Sequence, residues 1–175
     1  HRDLKPENLI LASVTNDTDV KIADFGLSVI ENGNTKLSRS RACGTPLYIA
    51  PEMILAATGQ LEGGAYGKEV DLWAVGCLAY TLLAGYPPFH MDSQGDPQNK
   101  HLFRAILKGD YNMNTRELKN VSNDAKELIT ALLCVDPEKR LTAEQAMATP
   151  WVTKARSELA GRNLDDNMKK FRAFH

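Results

Sequence analysis

The sequence predicts a mainly α-helical chain with one small β-hairpin near its start. Two strand-length apolar runs, Leu9-Ile10-Leu11 and Val20-Lys21-Ile22-Ala23, flank the polar stretch SVTNDTD, which is rich in turn-forming Asn, Asp, Ser and Thr. After Pro51 the apolar residues recur at helical spacing. The longest apolar run, Leu72 to Gly85, has the length of a buried core helix, about 10–14 residues, and falls short of the ~20 that a membrane span requires.

Between Leu27 and Thr45 neither a helical nor a strand period persists, which predicts a long loop, and loops of that length usually carry function. Helices are expected over Glu52–Ala57, Val70–Ala84, Lys100–Leu107, Ser122–Cys134 and Ala143–Ala148, with a terminal pair around Val152–Leu159 and Leu164–Phe174. The second of these, apolar all round, is expected to lie at the centre, covered on every side. Ser122 precedes an apolar face at Ala125, Leu128, Ile129, Leu132 and Leu133, so it reads as an N-cap. Thr142 and Gln145 have the spacing of a capping box. No internal repeat is visible, which excludes a solenoid.

The 175 residues include 21 basic and 22 acidic ones, a net charge of −1. This removes the electrostatic case for a nucleic-acid or anionic-membrane partner. Cys43, Cys77 and Cys134 form no C-x-x-C pair and no Cys/His cluster, so a reducing, cytoplasmic setting is expected. The first residue is His rather than Met, and no signal or transit pattern follows, which suggests a truncation point.

The chemistry concentrates near the start. His1-Arg2-Asp3-Leu4-Lys5-Pro6-Glu7-Asn8 sets a carboxylate, an amine and an amide within six residues, just before the first strand. Asp24-Phe25-Gly26 follows the second. A hairpin would bring Asp3, Asn8 and Asp24 to one end of the sheet. Together they would offer hard oxygen ligands suited to Mg²⁺ plus one carboxylate free to orient a hydroxyl, an arrangement fit for phosphoryl transfer.

HRDLKPEN, DFG and Ala50-Pro51-Glu52 stand in the order and spacing of the eukaryotic protein kinases, and the chain resembles that family from His1 to about Val152. Gly44-Thr45-Pro46, Asp71-Leu72-Trp73-Ala74-Val75-Gly76 and Arg140 extend the resemblance. It implies the C-terminal lobe of a protein-kinase-like fold, with the N-terminal lobe absent, over 1–152, and a helical extension over 153–175. It implies ATP and Mg²⁺ as cofactors: Asp3 would accept or orient the substrate hydroxyl proton, Lys5 would steady the γ-phosphate, and Asn8 and Asp24 would hold the metal. Lys5, two places after Asp3, and Thr45 imply serine/threonine substrates. Glu52 and Arg140 would form a buried ion pair, Asp71 would hold the catalytic-loop backbone, and Arg2 would be structural. Trp73 reads as core and Cys43 as an inert small residue. His90, His101 and His175 share no ligand spacing.

Ala42-Cys43-Gly44-Thr45-Pro46, Ala84-Gly85-Tyr86-Pro87-Pro88-Phe89 and Ala148-Thr149-Pro150-Trp151-Val152 resemble the calcium/calmodulin-dependent kinase group. Asn163 to Phe174 is similar to the start of that group's autoinhibitory segment, with Leu164, Met168 and Phe171 on one helical face and Lys169, Lys170 and Arg172 beside it. A plain terminal helix packed on the lobe is the alternative, and a calmodulin site would lie beyond His175. The chain departs from the group at Arg41, where the pattern has an activating Thr. Ser38 and Ser40 are therefore the candidate phosphosites, and a phosphate on Ser40 would pair with Arg2. Two further departures are the Gly-rich run Ala57–Ala65, expected to be a flexible surface feature, and Tyr111–Val121, which lacks the usual proline-containing pattern. For substrate docking the candidates are Glu7, facing a basic side chain upstream of the target hydroxyl, together with Thr45, Leu47 and Tyr48.

The competing reading is a non-catalytic kinase-like scaffold, which commonly loses the catalytic Asp, the metal Asp or the Asn. This chain keeps Asp3, Asn8 and Asp24. A small-molecule phosphotransferase is disfavoured by the peptide-docking stretch from Thr45 to Glu52. Residues 1–175 contain no G-x-G-x-x-G loop, strand Lys or helix Glu for the nucleotide phosphates, so by themselves they are expected to be inactive.

Overall fold

A computed structural model describes residues 1–13, 16–30, 37–38, 43–90 and 99–154. Strands β1 (Leu9–Ser13) and β2 (Asn16–Ile22) pair antiparallel, with Leu9 opposite Ile22 and Leu11 opposite Val20, and with a shift of register between Leu11 and Ser13. The hairpin stands at the surface. Ile10, Leu11, Val20 and Ile22 are each about half exposed, so the hydrophobic interior is built elsewhere.

That interior is helical. It surrounds α2 (Glu69–Ala84), the helix predicted from the long apolar run. Trp73, Cys77, Tyr80 and Thr81 of α2 are buried together with Phe89, Leu102, Ile106, Leu118 and Ile129. Stacking of Trp73 on Phe89, with ring centroids 5.6 Å apart, closes one side. A Cβ on Gly76 would lie 2.9 Å from Leu132 and Leu133, so the missing side chain is what lets α4 (Asn123–Leu132) approach α2 this closely. The expected burial of α2 on every side is corrected in one respect. Val75 and Leu82, seven positions and so nearly two turns apart on one face, are 39% and 38% exposed. Length and hydropathy report how apolar a helix is; they do not report which of its faces the rest of the fold covers.

The remaining helices follow their local signals. They are α1 (Pro51–Ala57), α3 (Lys100–Lys108), α5 (Ala143–Met147) and α6 (Pro150–Thr153). Ser122 caps α4 by accepting from the Ala125 amide, and Thr142 and Gln145 complete a reciprocal capping box on α5. The last described helix begins at Pro150, where proline suits the first helical position, and residues 155–159 of the expected Val152–Leu159 helix lie outside the described residues. The reading of Leu164–Phe174 lies outside the described residues.

A second sheet was not expected. Strands β3 (Leu37–Ser38) and β4 (Ala65–Tyr66) pair antiparallel, Leu37 with Tyr66 and Ser38 with Ala65. Strands of two residues carry no period to read. β4 also ends the Gly-rich run, which is more tethered than predicted: the Gln60 and Leu61 amides both donate to the Leu55 carbonyl, and Glu62–Gly64 forms a 3₁₀ turn. Among the described residues no helix is long and apolar enough to cross a membrane. All three cysteines are free thiols, and Cys77 is fully buried.

Candidate active site

The loop from His1 to Asn8 is held from beneath by α2. The backbone nitrogens of His1 and Arg2 donate to the two carboxylate oxygens of Asp71, at 2.7 and 2.8 Å. Asp71 sits in the first turn of α2, where an acidic residue is favoured by the helix dipole. From this anchor the chain turns through Arg2, whose φ of 72° is left-handed and unusual outside glycine. Pro6 then starts a short 3₁₀ turn, Pro6–Asn8, that delivers the chain into β1.

Asp3, Lys5 and Thr45 meet in one contact. The Thr45 amide and hydroxyl donate to Asp3 Oδ1 at 2.8 and 3.0 Å. Lys5 Nζ donates to the Thr45 hydroxyl at 3.0 Å and pairs with Asp3 Oδ2 at 3.2 Å. Burial pushes the Asp3 carboxyl upward, but the Lys5 hydrogen bond, the two Thr45 hydrogen bonds and the Lys5 charge outweigh it. The group is held below its ordinary value and is ionised at neutral pH. Gly44 makes the approach of Thr45 feasible. Its φ is +96°, and a Cβ there would lie 2.7 Å from the Arg2 carbonyl oxygen and 3.2 Å from Asp3 Oδ1.

Asn8 is buried, and its Nδ2 donates to the Asp3 carbonyl at 2.8 Å. Its own carbonyl accepts from the Ala23 amide at 2.9 Å, so the residue that precedes Asp24 is fastened to Asn8. The hairpin thus returns Asp24 to the loop that carries Asp3, as its strand order requires. Asp24 is exposed, has φ +58° and accepts from the Gly26 amide at 3.1 Å. Sequence reasoning passed over His1, whose Nε2 lies 2.9 Å from the Ala23 carbonyl and whose ring meets Phe25 edge-on at 5.0 Å. Its place at the head of HRD was the available signal.

Glu52 and Arg140 form the expected pair, and both are buried. Arg140 Nη1 and Nη2 donate to Glu52 Oε1 and Oε2 at 2.6 and 2.9 Å. Of the docking candidates, Glu7 is exposed in the middle of the 3₁₀ turn Pro6–Asn8 and Leu47 is half-buried. Tyr48 departs from its expected role: only 5% of it is exposed and its ring belongs to the core. The short 3₁₀ turn Pro46–Tyr48 points successive side chains in different directions, which spacing alone does not reveal. Ser38 lies in β3, while Ser40 falls outside the described residues.

Among the described residues no three His, Cys, Asp or Glu side chains gather as a metal cage. A pair of oxygen donors is instead the set that suits Mg²⁺ when nucleotide phosphates and water complete its shell, and Asn8 and Asp24 fit that description.

Comparison with known proteins agrees. Residues 1–152 match the protein kinase domain family. The chain is 41% identical over 172 residues to a calcium/calmodulin-dependent protein kinase type 1 of Macrobrachium nipponense, covering 97% of this chain and 46% of that one. It is 42% identical over 153 residues to the type 1 kinase of Caenorhabditis elegans, covering 87% of this chain and 40% of the relative. With the type IV kinase of Mus musculus the identity is 43% over all 175 residues, 34% of that protein. The chain therefore spans less than half the length of these curated relatives. Its loop, hairpin and buried ion pair, together with these matches, place it in the protein kinase domain family, as a chain similar to the calmodulin-dependent kinases.

Proposed function

We propose that residues 1–152 form the catalytic C-terminal lobe of a kinase that transfers the γ-phosphoryl group of ATP to serine or threonine hydroxyls of proteins. The observation that carries this reading is the contact of Asp3, Lys5 and Thr45. A carboxylate held ionised beside an ammonium accepts a hydrogen bond from an incoming hydroxyl and aims its oxygen, while its low basicity leaves the proton on that oxygen until late in the reaction. Lys5, already drawn to this point, neutralises charge on the transferring group. Thr45 fixes the rotamers of both. Asn8 and Asp24 would hold Mg²⁺, which supplies neutralisation of phosphate charge when bound.

Glu7, exposed two positions after Lys5, is the proposed partner of a basic side chain upstream of the target hydroxyl. We further propose an intracellular setting, the 153–175 extension as the start of a regulatory segment, and calmodulin as a partner through sequence beyond His175. The relatives' names and the basic residues Lys169, Lys170 and Arg172 support that last reading.

The test is ATP-dependent phosphorylation of a serine peptide by these residues joined to a kinase nucleotide-binding lobe. Transfer that falls at least about a hundredfold in Asp3→Asn is expected; an unchanged rate would refute the assignment. Residues 1–175 alone should show no measurable transfer, because the groups that bind the α and β phosphates are not among them.

A further inference from the structure

Arg2 is tethered at three points. Its amide donates to Asp71, its Nε donates to the Leu27 carbonyl at 2.6 Å, and its Nη1 donates to the Tyr66 hydroxyl at 3.4 Å. Each partner belongs to a different part of the fold: α2, the start of the 27–45 segment, and β4. The left-handed backbone of Arg2 persists only where its surroundings over-determine it. Tyr66 is 3% exposed, and a buried phenol needs a hydrogen-bond partner. Burial raises its hydroxyl above the ordinary value and the Arg2 hydrogen bond only partly offsets this, so the group stays neutral and able to accept. The same strand holds Leu37 and Ser38 in register. Leu27 and the Leu37–Ser38 strand are therefore both attached to one pair of residues, Arg2 and Tyr66. At position 41 the chain has Arg in place of the activating Thr of the related pattern.

We propose that Tyr66 is a positioning residue, whose buried hydroxyl and strand together tie Leu27 and Leu37–Ser38 to the loop of residues 1–8 through Arg2. The inference rests on reading residues 1–8 as a catalytic loop. It goes further by assigning the placement of Leu27 and Leu37–Ser38 to a residue outside the kinase motifs read from the sequence.

Hydrogen–deuterium exchange on the 175-residue chain tests it, with Tyr66→Phe, Arg2→Ala and the double variant. Tyr66→Phe keeps the buried ring and removes only the hydroxyl. Exchange at the Leu27, Ser28, Leu37 and Ser38 amides should rise about three- to tenfold, while the amides of α4 stay as in the parent chain. In the Arg2→Ala background the same substitution should add nothing, because the two residues act as one. Parent-like exchange at these four amides in Tyr66→Phe would overturn the proposal. So would an equal rise in α4, which marks a general loss of stability, or a full additional effect in the Arg2→Ala background. Exchange requires no phosphotransfer, so failure here is distinguishable from failure of the Asp3 assignment.

Discussion

Arg140 and Glu52, 88 positions apart, form a two-point ion pair in which both oxygens of the carboxylate accept from the guanidinium. The remaining Arg140 donors reach the carbonyls of Cys134, Glu69 and Val135, and Trp73 lies 5.2 Å beneath the charge. One side chain thus ties the start of α1, the start of α2 and the turn after α4 to each other.

Removing Arg140 strands a buried carboxylate and three carbonyls at once. Arg140→Met should cost about 3–5 kcal/mol, and Glu52→Gln less, because the amide still accepts one of the two hydrogen bonds. Chemical denaturation monitored by Trp73 and Trp151 fluorescence checks the order. Equal losses for the two variants would mean that the carbonyl contacts contribute nothing.

Asp3 should make stability depend on pH. Its folded-state pKa lies below the ordinary value of 3.8, so the unfolded chain binds the proton more readily. The contribution is fully present above the unfolded pKa and is lost as pH falls through the lower, folded one. Lys5→Met and Thr45→Val each remove a group that lowers this pKa. Both should raise it, as read from the Asp3 carboxyl carbon shift in an NMR titration. No upward movement in either variant would contradict the contact.

Gly44 and Gly59 separate strain from collision. Both have left-handed backbones, with φ of +96° and +70°, but only at Gly44 would a Cβ meet a neighbour. Gly59→Ala should cost about 1–2 kcal/mol from conformation alone. Gly44→Ala should cost more and should displace Thr45 from Asp3, seen as an upward shift of the Asp3 titration.

Glu7 should govern selectivity rather than turnover. In the two-lobed enzyme, Glu7→Gln is expected to raise KM roughly tenfold for peptides with an upstream Arg, with kcat little changed. Peptides lacking that Arg should be phosphorylated as before. A library with no altered preference would remove Glu7 from substrate recognition.

Much of this protein was legible in one dimension because its signals are local. Caps at Ser122 and Thr142, a proline opening a helix at Pro51, and apolar residues at helical spacing act over three or four residues, so they can be read without knowing the fold. The catalytic-loop residues were equally readable, since Asp3, Lys5 and Asn8 lie within one short loop, and one hairpin is enough to return Asp24 to it. Tertiary structure decided what depends on partners distant in sequence. It set which face of α2 stays open at Val75 and Leu82, and it turned Tyr48 into the core. It also paired two-residue strands remote in sequence, Leu37 with Tyr66 and Ser38 with Ala65, and brought Tyr66 to Arg2. The physical reason is the same in each case: burial, strand pairing and hydrogen bonding between remote segments are properties of the packed chain, and a residue's neighbours in sequence do not encode them.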